Sequence, residues 1–197
     1  MNIIIGCENS QKTTMAFRLL GHDAYSCDIL PTTGNPSYHI QDDILNHLDD
    51  GWDMAIFHPD CTYLCSSGLH WNNRIPGRAQ KTLNALGFVN KLLKADIDRI
   101  CLENPIGRIN TAIRKPNQYI QPHEYGHDAS KKTGLWLKGL PKLIPTKYIK
   151  PRIVNGLNRW ANQTDSGQNR LGPSADRWKL RAETYQGWSD AMAEQWG

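Results

Sequence analysis

The chain has no apolar run approaching the roughly 20 residues that a membrane-crossing helix needs. Its first residues, Met1-Asn2-Ile3-Ile4-Ile5-Gly6, have neither a basic start nor a long apolar stretch. The opening therefore reads as a first strand rather than a leader, and a cytoplasmic location is expected. Cysteines are few and odd in number, five in all, scattered through strands and turns. That excludes an ordered disulfide framework and favours reduced thiols. Charge is nearly balanced at +4, too little for a dedicated nucleic-acid-binding domain. The excess leans toward the stretch 108–181, through Lys131, Lys132, Lys138, Lys142, Lys147, Lys150 and Arg152, which suits a phosphate-bearing partner. Internal repeats and linkers are absent, so one domain over 1–197 is expected.

What is present is an alternation of strand and helix. Short apolar runs predict strands over 2–5, 24–27, 54–57, 99–102 and 134–137. Helical spacing of Met15, Ala16, Leu19 and Leu20 predicts a helix over 13–20 that stops at Gly21. Leu83, Leu86, Val89, Asn90 and Leu93 predict another over 78–93. Such alternation implies an α/β fold, a mostly parallel twisted sheet with helices on both faces. Loops are expected over 31–37 and 58–77, and a flexible polar one over 157–173. Helical turns are expected over 175–196, with Trp178, Leu180, Trp188, Ala191, Met192 and Trp196.

Two strands end in tips that carry chemistry: His58-Pro59-Asp60-Cys61 after one, and Glu103-Asn104-Pro105 after the other. Ligands of open α/β sheets collect outside the carboxyl ends of the strands. A cysteine there supplies a nucleophile, and a buried carboxyl holds or donates a proton. Blander roles compete: Cys61 as a small buried hydrophobe, Asn104-Pro105 as a strand-ending turn, Asp28 as a cap. His58, Cys61, Cys65 and His70 have ligand types that suit zinc, but their spacing is no common zinc pattern and no metal is expected. The His-x-Glu with Pro-Cys-x-x-Cys pattern of zinc deaminases is also missing.

In their order, these tips resemble the cytosine-C5 DNA methyltransferases, in the reduced form that phages often encode. Ile5-Gly6-Cys7-Glu8-Asn9-Ser10 matches the family's S-adenosylmethionine turn, Asp28 its ribose-holding acid, and Asp42 or Asp43 its adenine-side acid. Pro59-Asp60-Cys61 matches the Pro-Cys nucleophile motif and Glu103-Asn104-Pro105 the Glu-Asn-Val motif. The stretch 126–133 looks like the family's Gln-Arg segment, and 186–193 like the element that packs back against the cofactor. The resemblance implies a Rossmann-like class I methyltransferase fold. It further implies Cys61, Glu103 and Asn104 as catalytic, and Gly6, Cys7, Glu8, Asn9, Asp28, Asp43 and Pro59 around the cofactor. Lys131, Lys132 and Ser67 fall on the side of a DNA or nucleotide substrate. The chain departs from the family in having one glycine at the cofactor turn, Asp60 between Pro59 and Cys61, and only 138–173 available as a reduced recognition insert. A second reading follows from these departures: a catalytically silent nucleotide-binding protein of the same fold, in phage counter-defence or regulation.

Overall fold

The computed structural model describes residues 1–172, 174 and 184–197. Its main sheet comprises β1 (Asn2–Gly6), β2 (Asp23–Cys27), β3 (His39–Ile40), β4 (Met54–Phe57), β5 (Arg99–Pro105), β6 (Gln118–Ile120) and β7 (Thr133–Lys138). The seven strands lie in the order β3-β2-β1-β4-β5-β7-β6. The pairings from β3 across to β5 are parallel, and β7 runs antiparallel to both its neighbours. This is the α/β, Rossmann-like methyltransferase fold that the alternation of elements and the order of the strand tips imply. The strand order reverses between β1 and β4, so the crevice for ligands opens at the carboxyl ends of those two strands.

Both faces of the sheet are covered, which is why its central strands read as unbroken apolar runs. Ile3, Ile5, Met54, Ile56 and Cys101 face one layer, formed by α1 (Lys12–Leu19) and the C-terminal helix. Ile4, Ala55, Phe57, Ile100 and Leu102 face the other, against Val89 and Leu92 of the long helix Arg78–Leu93. Between the strands lie a short helix α2 (Ser66–Leu69), the long helix, here α3, and α4 (Ile109–Ala112). The C-terminal helix, α5, spans Gln186–Trp196 and packs on α1. Trp178 and Leu180 lie outside the described residues.

Several sequence expectations are corrected. The inner face of α1 is Thr13, Thr14, Ala16 and Phe17, while Leu19 is 80% exposed. Similarly, α3 buries Thr82, Val89 and Leu92, and Leu83 is 60% exposed. The stretch 58–77 is not all loop, because it contains α2 and a 3-10 turn, His70–Asn73. The stretch 157–173 is not plain loop either. Its first residues form β9 (Leu157–Arg159), which pairs with β8 (Arg152–Val154) in a hairpin. Asn155 and Gly156 turn that hairpin with φ of 49° and 75°, as a two-residue Asn-Gly turn requires. Finally, β5 runs to Pro105, so Glu103 and Asn104 are strand residues paired with Leu135 and Gly134 of β7.

Candidate active site

The site is built where the loops after β4 and β5 are tied together. Asn104 Nδ2 donates to the Pro59 carbonyl at 2.7 Å. Arg108 N–H donates to the Leu64 carbonyl at 2.7 Å, and Ser66 N–H to the Ile106 carbonyl at 3.0 Å. Gly107 permits this approach, since a Cβ there would collide with the Leu64 carbonyl. These bonds hold the Cys61 segment beside the end of β5. The Lys131 ammonium is close enough to both Cys61 and Glu103 to pull each toward its ionised form. It also lies 5.9 Å from the ring centroids of Tyr185 and Trp188.

Glu103 is 7% exposed. Burial by itself would push its carboxyl up, but the His58 hydrogen bond, the charges of Lys131 and His58, and the Thr133 hydroxyl outweigh it. The net direction is down, so Glu103 is an ionised carboxylate. His58 Nδ1 sits 3.2 Å from Glu103 Oε2, with each side chain 8% exposed. Three buried polar atoms at or near this end of the sheet have no partner of hydrogen-bonding geometry among the described residues: Glu103 Oε1, Asn104 Oδ1 and Trp188 Nε1. Buried polar atoms are seldom left so, and unpaired ones invite a ligand.

Cys61 and Cys65 form a thiol pair one helical turn apart, with Cys65 N–H donating to the Cys61 carbonyl at 2.9 Å. The hydrogen bond to Cys65, then burial, then the charges of Cys65 and Asp60 push the Cys61 thiol up. The same bond pulls Cys65 down against its own burial, helped by Ser67 and the N–H groups of Ser67 and Gly68. Ser67 Oγ lies 3.0 Å from Cys65 Sγ. These local interactions therefore favour ionisation at Cys65 over ionisation at Cys61. Because the thiolate is the nucleophile, limited iodoacetamide treatment near neutral pH is expected to alkylate Cys65 before Cys61, read by peptide mass spectrometry. In Cys65→Ala, alkylation of Cys61 is expected to begin at lower pH than in the wild type.

On the cofactor side, the turn after β1 is held by Cys7 N–H donating to the Cys27 carbonyl at 2.7 Å. Gly6 is required by packing rather than by φ, because a Cβ would come within 2.7 Å of both Ile44 and Phe57 side chains. Cys7 adopts φ of 60°. Burial, then Asp28, Cys27, Asp43 and Asp60 raise its thiol far above the ordinary range, which leaves it inert. Those aspartates thus lie near enough to Cys7 for their charges to act on its thiol. Asp28 Oδ1 accepts from Leu30 N–H at 2.9 Å and Asp43 Oδ1 from Leu45 N–H at 3.0 Å. Their Oδ2 atoms take no hydrogen bond from the described residues and suit hydroxyl and amine donors. Asp42 is instead engaged by Asn46 and His47.

Not every candidate points to the crevice. Glu8 uses both oxygens on α1: Oε1 accepts from Thr13 N–H at 2.7 Å, Oε2 from Thr14 N–H at 3.1 Å and from its hydroxyl at 2.7 Å. This caps two of the orphan donors of a helix start. The Asn9 carbonyl accepts from Thr33 N–H at 3.0 Å and the Thr32 hydroxyl at 2.9 Å, docking the 28–38 loop. Lys132 diverges from Lys131 and lies 4.6 Å over the Tyr119 ring. The zinc-type set disperses: His58 pairs with Glu103, Cys65 with Ser67, and His70 packs on Trp71 at 4.8 Å. Among the described residues no three His, Cys, Asp or Glu groups converge as metal ligands. His58 was the residue the sequence undervalued; its place directly after a buried strand was the available signal.

No protein-family model matches the chain, and no curated protein does. Among solved structures it is similar to a candidate DNA modification methyltransferase encoded within a prophage (E. coli), with 15% identity and a TM-score of 0.46. The match covers 78% of this chain, which spans only 56% of that protein. No described helix is long and apolar enough to cross a membrane.

Proposed function

We propose that the protein transfers a methyl group to C5 of cytosine, in DNA or a related nucleotide, through a Cys61 adduct. The observation that carries this reading is the nucleophile–acid pair at the ends of adjacent strands β4 and β5, with Lys131 reaching both. Cytosine C5 is a poor nucleophile. Addition of the Cys61 thiolate to C6 shifts the conjugated electrons through C5 and C4 onto N3, which takes a proton delivered through Glu103. Covalent addition divides one hard step into easier ones. Asn104 fixes the loop that bears Cys61 by holding the Pro59 carbonyl. Lys131 offsets the negative charge of the two reacting groups. Asp28, Asp43 and the backbone of the 6–9 turn would hold S-adenosylmethionine, which when bound supplies an electrophilic methyl group. Loss of the C5 proton then expels Cys61 as thiolate and restores the aromatic ring.

The raised Cys61 thiol and Asp60 beside it are the observations that favour the silent nucleotide-binding alternative. Incubation with methyl-labelled S-adenosylmethionine and cytosine in single strands, duplex or mononucleotide separates the two. Transfer to C5 is expected. Tight nucleotide binding with no transfer to any of the three would overturn the methyltransferase reading.

A further inference from the structure

We propose that His58 is a proton-relay residue that charges and discharges Glu103 during base activation. The inference rests on the pyrimidine-adduct reading above. An ionised Glu103 has no proton of its own to give to N3, so an adjacent group must lend one. His58 is the titratable group in contact: its Nδ1 lies 3.2 Å from Glu103 Oε2, and both side chains are almost fully buried. Imidazole is the side chain suited to gaining and losing a proton near neutrality.

The far side of the ring continues the chain. His58 Nε2 lies 3.5 Å from Thr13 Oγ1, at the outer limit of a hydrogen bond, and Thr13 Oγ1 lies 3.0 Å from Ser189 Oγ. The surroundings of the ring are thus Glu103 from β5, Thr13 from α1, and Ser189 beyond it on α5. Lys131 and Thr133 act on the same carboxylate from the segment leading into β7. Glu8 approaches only through the Thr13 N–H. His58 meets Glu103 at Oε2, and the buried Oε1 takes no bond of hydrogen-bonding geometry from the described residues.

The proton count closes. As the Cys61 Sγ–C6 bond forms, the Cys61 S–H proton passes to ionised Cys65, to return when Cys61 leaves, and protonated His58 gives its Nδ1 proton to Glu103 Oε2. The neutral carboxyl turns that O–H to N3, which takes the proton as the ring electrons arrive. When Cys61 leaves, the proton returns from N3 through Glu103 to His58, while the C5 proton goes to solvent.

A methyl-donor-free assay tests this. Reversible addition of Cys61 makes C5 exchange its hydrogen with water, so an oligonucleotide carrying tritium at cytosine C5 releases label. His58→Asn keeps an N–H donor toward Glu103 but cannot relay a proton. Its exchange rate is expected to fall by about 10²-fold, the scale of general acid–base assistance. The alkaline limb of its pH profile, set by loss of the proton that is lent to N3, is expected to move to lower pH, because Glu103 must then carry that proton itself. A limb left at the wild-type position, whatever the rate, would overturn the relay. Thr13→Val cuts the outer end of the chain and is expected to slow exchange more weakly, about tenfold; it carries the test should His58→Asn not fold. Wild-type protein that neither exchanges C5 hydrogen nor transfers methyl would remove the adduct reading itself, a result distinct from loss of the relay alone.

Discussion

Cys61→Ser is expected to abolish methyl transfer, with a loss of at least about 10⁴-fold, while S-adenosylmethionine affinity stays within a few-fold of the wild type. Position 61 holds the thiol placed beside the end of β5, within reach of the Lys131 charge. Cys27 and Cys101 are buried in the sheet, and Cys7 is held in the turn after β1, its thiol pushed up by burial and by nearby aspartates. Serine keeps the size and the hydrogen bonding of the loop but supplies a far weaker nucleophile at C6. The cofactor side is set by Asp28, Asp43 and the turn after β1, none of which position 61 supports, so binding should survive. Filter binding of labelled oligonucleotide transfer product, paired with calorimetry of the cofactor, checks both halves. Transfer by Cys61→Ser within tenfold of wild type would eliminate the covalent route. Equal transfer by Cys65→Ala and its loss in Cys61→Ser would fix which thiol adds to the base. The reverse pattern would move the nucleophile to Cys65, the thiol that the local hydrogen bonds favour at rest.

How much of this was legible in the sequence depended on what buries each residue. Ile3, Ile4, Ile5 and the Met54–Phe57 run are covered from both faces, so their strands showed as plain apolar runs. The span of α3 was legible, but its inner face was not. Thr82 is buried because its hydroxyl donates to the Tyr63 carbonyl at 3.0 Å, a partner that no periodicity reveals. Thr14 is buried for the same reason, through Glu8. The extension of β5 to Pro105 comes from its ladder with β7, a pairing between segments roughly thirty residues apart that local pattern does not carry. The β8–β9 hairpin, by contrast, left its signal in Asn155-Gly156. Within the site, Cys61 and Glu103 stood out because each follows or ends a strand. The division of labour between the two lysines did not, since adjacent residues in an extended segment point to opposite sides. Lys131 accordingly reaches the acid, and Lys132 lies over Tyr119.

Glu103→Gln is expected to lower transfer by about 10³-fold, the scale on which a single preorganised polar group acts at a developing charge. The neutral amide still fills the volume beside His58, so the fold should persist, but it can neither accept nor pass a proton at N3. The same substitution has a second, independent signature in stability. Because Glu103 is held below its unfolded value when folded, its ionised contacts add stability above the ordinary carboxylate range. That contribution is lost as pH falls through the lowered folded value. Urea midpoints measured from neutral pH downward should therefore drop in the wild type through and below the carboxylate range. The Glu103→Gln protein, once residual titration of the other acids is common to both, should show a shallower decline. A variant with wild-type acid sensitivity would mean that Glu103 is not the ionised partner of His58 and Lys131. Undiminished transfer would mean that N3 takes its proton from a group other than Glu103.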